Sequence, residues 1–313
     1  MKPIIVIGHA ALDHVYRIEA FPREPVKVRA LEHIEEGGGM AANAAATIAR
    51  LGGPVELWSR VGGDEAGIKI KKLLERSGVG TRAVKICEGA RSSTSAILVD
   101  RLGERLIVGE RDHAMSMDAS WLPLERIQHA AVVLSDLRWF EATRAAFERA
   151  RALGVTTMID GDLGGGEHLA EFVRLADYAI FSAPALEGLL PGLDDEARLE
   201  RVIAMGVRHA GVTRGEQGYR WQNREGEAGH QPAFEVEVVD TTGAGDAFHG
   251  AFAWAVAMGL EDRACARIAA AVAALACRRL GARAGLPTEA EVMRFLASTG
   301  PTDEPEGRDG ERG

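Results

Sequence analysis

Residues 239–259 constrain the fold more than any other stretch, because two glycines and an aspartate there separate a strand pattern from a helix pattern. Apolar residues alternate over 234–239, and after the glycines they recur at helical spacing until Gly259, which is placed to end the helix. The first amides of a helix have no intrahelical partner and carry the positive end of its dipole. Gly243 and Gly245 let the backbone approach a ligand closely. The stretch therefore predicts a strand, a glycine turn that suits a phosphate oxygen, and a helix.

Asp246 is the unexpected residue of this turn, since a carboxylate beside bound phosphate would repel it. Aspartate is common at helix starts, and one interpretation makes Asp246 a capping acid. The other makes it a general base that takes a proton from a hydroxyl group attacking the phosphate. Because the acid comes directly after the glycine turn, we favour the base.

Residues 240–250, D-T-T-G-A-G-D-A-F-H-G, resemble the C-terminal signature of the ribokinase family, the PfkB-type carbohydrate kinases. The resemblance implies an α/β fold, with a three-layer αβα domain around a mainly parallel central sheet and a small β-sheet lid. It implies that Asp246 is the catalytic base. It also implies that amides of Gly243, Ala244 and Gly245 form an anion hole with that of Asp246.

The N-terminal part carries a second set of candidate residues. Ile4–Ile7 is a continuous β-branched run, typical of a buried parallel strand, and Asp13 follows it on the ligand side of the sheet. An aspartate there is also a common turn former, and the Ala-rich helix that opens at Gly39 is also a plausible packing helix. The family resemblance implies sugar-binding roles for four residues: Asp13, Gly38, Gly39 and Asn43.

The chain divides into a large domain and a lid by the same resemblance. Segments 1–13, 37–90 and 112–298 form the kinase domain, and 14–36 with 91–111 form the β-lid. A hairpin with its turn near Leu102–Gly103 supplies half of the lid, which would exclude water and form a homodimer contact. The segment 299–313 is Gly, Pro and charge, which predicts a disordered tail.

From residue 131 onward the patterns of strand and helix alternate, as in βα units on a parallel sheet. Predicted strands cover 132–135, 156–159, 179–181 and 210–213. Arg138 and the segment 160–162 follow strand ends, and so lie on the ligand side. The turn over 213–218 resembles the family's nucleotide-phosphate turn, which implies that nucleotide is bound by Thr213, Gly215 and Gly218.

The loop 281–287 resembles the family's C-terminal loop, which helps to hold a monovalent cation, here K⁺. The implied ligands of that cation are Asp240, Thr242, Ala276, Arg279, Gly281 and Gly285. The family usually orders Mg²⁺ through an N-x-x-E motif after a central strand, but this region reads F-S-A-P-A-L-E. Glu187 is the carboxylate left there as a candidate for Mg²⁺, which otherwise binds the ATP phosphates and water.

Composition limits the other classes of function. Lysine and arginine total 37 against 46 acidic residues, a net charge of −9, which argues against non-specific nucleic-acid binding. Three cysteines without C-x-x-C spacing indicate neither a disulfide framework nor a zinc site. No apolar run reaches membrane length, and residues 1–3 lead straight into a strand. We therefore expect a cytoplasmic enzyme without a membrane partner.

Several motifs resemble those of the family's bacterial sulfofructose kinases, which phosphorylate a fructose that carries a sulfonate at C6. Lys27 and Arg138 match the basic positions that bind this anion, and a guanidinium suits a cluster of anionic oxygens. Gly109 stands where those enzymes have an asparagine. The prediction is ATP-dependent phosphorylation of a primary hydroxyl of a ketohexose or its C6-sulfonate. A ribokinase, a sugar-acid kinase, a nucleoside kinase and a catalytically silent sugar sensor remain alternatives.

Overall fold

The computed structural model describes residues 1–110, 112 and 114–299. The α-helices within this part of the chain are α1 Met40–Arg50, α2 Glu65–Arg76, α3 Phe140–Leu153, α4 Leu169–Leu175, α5 Ala183–Leu189, α6 Asp195–Ala204, α7 Ala244–Ala257, α8 Asp262–Ala276 and α9 Glu289–Ser298. The strands are β1 Ile4–Ile7, β2 Ala11–Arg17, β3 Glu32–Gly38, β4 Val55–Gly62, β5 Gly80–Cys87, β6 Ser93–Val99, β7 Arg105–Glu110, β8 Val132–Ser135, β9 Thr156–Gly161, β10 Tyr178–Ser182, β11 His209–Thr213, β12 Tyr219–Asn223 and β13 Ala228–Gln231. None of the helices among these residues has the length and apolar character that crossing a bilayer needs.

Nine strands form the central sheet, in the order β13-β12-β11-β10-β9-β8-β1-β4-β5. Seven of them are parallel, and β12 and β13 add an antiparallel edge. The strand order reverses beside β1. From β1 the chain adds β4 and β5 on one side, and it then adds β8 and the strands after it on the other side. In open α/β sheets ligands bind at the carboxyl ends of strands at such a point. The topology therefore places a site beyond the ends of β1 and β8.

Two apolar layers cover the sheet. On one face Ile4 and Val6 of β1 pack with α1, α7 and α8. On the other face Ile5 and Ile7 pack with α3, α4, α5 and α6. Because successive strand residues point to opposite faces, the unbroken apolar run of β1 supplies both layers. The result is the predicted αβα arrangement.

A separate four-stranded sheet, in the order β3-β2-β6-β7, lies beside this domain. Its outer pairs are antiparallel, and its central pair β2–β6 is parallel. The predicted hairpin is present, with a bond from the Gly103 N–H to the Asp100 carbonyl oxygen at 3.2 Å. The strands of this sheet extend past the predicted lid limits, so that Asp13 and Gly38 belong to it.

The predicted parallel strands after residue 131 and the helices after the glycine turns are confirmed in the structure. The predicted strand over 234–239 is wrong. This segment pairs with no strand among the described residues, and the amides of Val239 and Asp240 bond instead to the Cys277 carbonyl oxygen at the end of α8. The alternation of apolar residues reflects packing of one side of this segment against α9. The ring centroids of Phe234 and Phe295 lie 5.3 Å apart. The predicted disordered tail, 299–313, falls almost wholly outside the described residues.

Helices α1 and α7 pack at very short range around Gly250. A Cβ atom at Gly250 would lie 2.5 Å from the Ala44 carbonyl oxygen and 2.9 Å from the Thr47 Cβ atom. Such close contact needs a residue without a side chain, as in other tight helix pairs. Gly250 thus sets the spacing between the two helices that open at the glycine-rich turns.

We expect Gly250→Ala to destabilise the protein by about 1–3 kcal/mol, because the new methyl group overpacks against the backbone of α1. Gly188 in α5 is the matched control, since a Cβ there would meet nothing within 4 Å. Gly188→Ala should leave stability unchanged or raise it by up to about 1 kcal/mol through helix propensity. Urea unfolding of the two variants measures the difference. Equal effects would refute the close-packing role of Gly250.

Candidate functional site

The glycine turn before α7 has the conformation that its sequence predicts. Gly243 is the N-cap of the helix, with φ of 74°, a left-handed value that glycine adopts without strain. A Cβ atom at this position would also lie 2.7 Å from the Cβ atom of Ala282. Ala244 and Gly245 follow in the first turn, where amides lack intrahelical acceptors. The turn can accept an anionic oxygen.

Asp246 lies in this first turn and faces α1. Its Oδ2 atom accepts a hydrogen bond of 2.8 Å from Nδ2 of Asn43, which is buried. The two residues come from opposite ends of the chain and meet because α1 and α7 pack through Gly250. Asp246 is therefore oriented by a donor from another helix and is more than a helix cap.

The carboxyl group of Asp246 is buried and lies close to other acidic side chains. Burial, together with the smaller effect of the negative charge of Asp160, raises the pKa of Asp246 to about 8. The hydrogen bond from Asn43 acts in the opposite direction. Burial also raises the pKa of Asp136 and of Asp160, which lie at the ends of β8 and β9. A carboxyl group poised near neutral pH is suited to proton transfer.

His249 lies beside the cluster of acidic side chains formed by Asp136, Asp160 and Asp246. Its Nδ1 atom lies 2.8 Å from the Gly245 carbonyl oxygen, and its Nε2 atom lies 3.4 Å from Oδ1 of Asp160. Burial lowers the pKa of His249. Burial also raises the pKa of Asp160, so the buried position disfavours the charged form of both members of this pair.

The predicted sugar-binding residues of the N-terminal part come together around β2 and β3. Asp13 is buried, and a Cβ atom at Gly38 would lie 1.9 Å from its Oδ2 atom. Burial raises the pKa of Asp13, and a hydrogen bond from Ser95 opposes this shift. Gly39 has φ of 90°, and a Cβ atom added to it would lie 2.6 Å from the His9 carbonyl oxygen. Both glycines are required by their surroundings.

Two residues of this site were not predicted from the sequence: Arg283 and Glu36. The Arg283 Nε atom donates to Oδ1 of Asn43 at 2.8 Å, and Nη2 donates to the Gly38 carbonyl oxygen at 3.2 Å. Glu36 accepts a hydrogen bond from the Ala282 amide, and burial raises its pKa to about 7. Arg283 is the one charged residue in the loop 281–287, and this isolation was the available signal.

Arg138 lies at the end of β8, as predicted. Its Nη2 atom lies 3.3 Å from Oδ2 of Asp162, and its buried Nε atom has no hydrogen-bond partner among the described residues. Lys27 is exposed in the segment between β2 and β3. No contact between described residues joins Lys27 to Arg138. Gly109 lies on β7 opposite Ser95, and a Cβ atom there would meet only the Ser95 Oγ atom, at 3.8 Å.

The predicted nucleotide turn follows β11. The Thr213 Oγ1 atom donates to the Phe181 carbonyl oxygen at 3.3 Å, and Gly215 and Gly218 both have positive φ. Arg214, between Thr213 and Gly215, donates to Glu187 at 3.0 Å and to Asp195 at 2.6 Å. The charge of Glu187, the candidate for Mg²⁺, is thus engaged by an arginine.

Two of the predicted cation ligands, Thr242 and Gly281, contact Asp240, which is buried. Its two carboxylate oxygens accept hydrogen bonds of 2.8 Å from the amides of Thr242 and Gly281. The Thr242 Oγ1 atom is buried and has no hydrogen-bond partner among the described residues. Gly285 lies against the Ala276 carbonyl oxygen, 2.1 Å from the position of an added Cβ atom. A hydroxyl oxygen without a partner and a carboxylate are oxygen ligands of the kind that suits a hard monovalent cation. Arg279 lies in the same turn after α8.

Comparison with known proteins gives one consistent result. The family model described as "pfkB family carbohydrate kinase" matches residues 1–289. The ATP-dependent ribose-1-phosphate kinase of Halopiger xanaduensis is 30% identical over 95% of this chain and 99% of its own length. The ribokinase of Bacillus subtilis is 30% identical over 95% of this chain and all of its own. A candidate ribokinase from Agrobacterium tumefaciens superposes with a TM-score of 0.91 at 35% identity, covering 95% of this chain and 98% of that one.

We expect Asp246→Asn to become more stable relative to the parent protein as pH rises. The folded-state pKa of about 8 lies above the ordinary value of 3.8, so ionisation between these values destabilises the parent protein and not the variant. The difference in unfolding free energy should grow by up to about 1.4 kcal/mol per pH unit over this window. Chemical denaturation at several pH values measures it.

Asp195→Asn is the control with the opposite sign. The hydrogen bond from Arg214 lowers the pKa of Asp195, so its ionisation stabilises the folded protein above the ordinary pKa of 3.8. The Asp195 variant should therefore lose stability relative to the parent as pH rises towards 3.8, and the difference should stay constant above that value. If both variants follow one trend, the raised pKa of Asp246 is wrong.

Proposed function

Because this chain belongs to the pfkB family of carbohydrate kinases, phosphotransferases that act on an alcohol group, we propose that it transfers the γ-phosphoryl group of ATP to a primary hydroxyl of a small sugar. The acceptor that we propose is a ketohexose or its C6-sulfonate. A ribose or a sugar acid would use the same site chemistry and is distinguished by experiment below.

The observation that carries the proposal is the hydrogen bond between Asn43 and Asp246 beside the Gly243 turn. It puts a carboxyl group of raised pKa next to amides that suit an anion. A binding protein gains nothing from a buried acid beside a phosphate site, because the acid weakens phosphate binding. For a kinase the same acid is the proton acceptor.

In the proposed reaction the acceptor hydroxyl oxygen attacks the γ-phosphorus atom. The new O–P bond forms as the bond from the γ-phosphorus to the β,γ-bridging oxygen breaks, and ADP leaves with that electron pair. The hydroxyl proton passes to the ionised carboxylate of Asp246. Amides of the turn at Gly243–Gly245 stabilise the charge of the transferring group. Asp13 and Asn43 orient the sugar so that the attack is in line.

ATP and Mg²⁺ are the cosubstrate and the metal ion that this chemistry requires, and Thr213, Gly215 and Gly218 are the residues that we propose for the nucleotide. Mg²⁺ bound with the nucleotide would neutralise phosphate charge, which is needed where Asp160 and Asp136 lie close to Asp246. The described residues contain no cluster of three metal-ligating side chains, so the phosphates and water would supply most of the ligands of the ion. Glu187 remains a candidate for a water-mediated contact.

We propose K⁺ as a second ion, beside Asp240. The unpaired Thr242 Oγ1 atom supports it, because a buried hydroxyl oxygen without a partner is costly unless a ligand completes it. Gly281 links this position to the anion turn through Asp240 and Thr242. A cation here would therefore hold the turn in its binding conformation.

Arg138 supports an acceptor that carries an anionic group. Its buried Nε–H has no partner among the described residues, and a guanidinium pairs well with a sulfonate or phosphate. Asp162 already neutralises part of its charge, and Gly109 leaves space where a further donor could stand. Lys27 is proposed as a second basic contact that reaches the sugar when the lid closes. This closure would exclude water from the reaction.

We propose a homodimer through the small sheet and a cytoplasmic location, where ATP is available. The edge strand β7 exposes Leu106, Ile107 and Val108 in succession. An unpaired edge with apolar side chains favours association with another copy. A cavity of about 300 Å³ against this sheet adds to the surface that a partner would cover. Its lining includes His14, Tyr16, Val108 and Gly109.

We expect Asp246→Asn to lower kcat by about 10²–10⁴-fold, because the amide cannot take the hydroxyl proton. ATP binding should persist, since the turn amides are kept. ADP release with Mg-ATP measures turnover, and calorimetry measures binding. Asp118→Asn, an exposed aspartate outside the site, is the control and should match the parent. Turnover by the Asp246 variant close to that of the parent would exclude Asp246 as the base.

We expect Arg138→Ala to impair phosphorylation of an anionic sugar at least about tenfold more than that of a neutral one. ADP release is compared across sulfofructose, fructose, fructose 6-phosphate, ribose, 2-keto-3-deoxygluconate and adenosine. Arg144→Ala, which removes an arginine paired to Glu171 on the helix surface, is the matched control. Equal losses on both kinds of sugar would exclude anion recognition by Arg138. Binding of a sugar without turnover of any would instead indicate a sensor.

A further inference from the structure

We propose that Arg283 is a positioning residue that fixes the side-chain amide of Asn43 so that it donates to Asp246. The three residues form one directed chain, from Arg283 Nε to Asn43 Oδ1 and from Asn43 Nδ2 to Asp246 Oδ2. Both bonds are 2.8 Å long. The inference rests on the proposed role of Asp246 as the base.

The direction of this chain follows from the chemistry of arginine. A guanidinium has only donors, so the atom of Asn43 that meets Arg283 must be the amide oxygen. The amide nitrogen then points to Asp246, which as a carboxylate has only acceptors. A rotated Asn43 would direct its oxygen to the carboxylate and its nitrogen to the guanidinium, which is unfavourable at both ends. Arg283 therefore selects one of the two amide orientations.

Arg283 is itself held in place from several sides. Its Nη2 atom donates to the Gly38 carbonyl oxygen, and Gly37 leaves space for Nη1, which would lie 2.2 Å from an added Cβ atom. The carboxyl groups of Glu36 and Asp13 attract its charge. Burial lowers the pKa of Arg283 to about 10, which leaves it charged at neutral pH. The orienting group is thus rigid as well as charged.

The charged groups around Asp246 lie at the ends of β8 and β9, on α7 and in the loop after α8. Asp160 and Asp136, at the ends of β9 and β8, raise its pKa, and His249 on α7 opposes them. Arg283 is the cation that reaches the cluster from the loop after α8. Without Arg283 the Asn43 amide loses its fixed orientation, and the base is both misplaced and harder to ionise.

A double-mutant cycle separates this role from two simpler ones. Arg283→Gln, Asn43→Ala and the double variant are assayed for kcat and KM with Mg-ATP and the acceptor from the sugar panel that is turned over fastest. We expect Arg283→Gln to lower kcat about 10–100-fold, as a misplaced group does, with KM for the sugar changed less than about threefold. In the Asn43→Ala background it should lower kcat less than about twofold. Equal losses of kcat in both backgrounds, or a loss confined to KM, would overturn the proposal.

Arg50→Gln is the matched control for loop anchoring. Arg50 Nε donates to the Leu286 carbonyl oxygen of the same loop at 3.1 Å but has no contact with Asn43. Its effect on kcat should be the same in both backgrounds. If Arg50→Gln reproduces the coupling to Asn43→Ala, anchoring of the loop explains the result and the proposal is overturned.

Arg283→Lys tests geometry against charge and serves if Arg283→Gln does not fold. Lysine keeps the charge but lacks an Nε–H at the position that meets Asn43, so we expect kcat to stay at least about fivefold below the parent. Full recovery would mean that charge alone matters. Asp246→Asn, measured in parallel, separates the two proposals. Its inactivity with no Arg283–Asn43 coupling would overturn this inference alone, whereas its activity would overturn the proposed function as well.

Discussion

The structure depends on the close approach of α1 and α7 at Gly250. These helices are almost 200 residues apart in the sequence, yet each begins at a glycine-rich turn and each points that turn to the same side of the sheet. Their spacing decides whether Asn43 can reach Asp246. A larger residue at Gly250 would separate the two helices and, with them, the proposed sugar-binding residue Asn43 from the glycine turn before α7. Core packing and the geometry of the site are therefore one constraint.

The site concentrates negative charge where a more negative ligand is to bind. Asp13, Glu36, Asp136, Asp160 and Asp246 all have pKa values raised by burial. Buried acids of this kind are tolerated when they are protonated or face a cation. Arg283 and Arg138 provide cations at opposite ends of the cluster. The arrangement suits an anionic ligand that binds together with cations. An ionised acid is then needed only at the position that takes a proton.

The sequence was sufficient for the layers, the parallel strands and the glycine turns, because periodicity and glycine position are local properties. It failed at 234–239, where alternation came from one-sided packing against α9 and not from a sheet. Arg283 and Glu36 could not be assigned from their own neighbours. Each acquires its role from a contact more than 200 residues away, which no local pattern records. Lys27 is exposed between β2 and β3, and its contact with a sugar stays a prediction.

Strand β3 ends at Gly38 and helix α1 begins at Met40, so one residue, Gly39, joins the small sheet to the large domain. A connection of a single residue allows little independent movement of β3 and α1. Any tilt of β3 must turn the first residues of α1, which carry Asn43, by a related amount. The small sheet is thus an extension of the helix that orients Asp246, the base that we propose. Grafting another sheet onto this domain would also change the position of Asn43 beside Asp246.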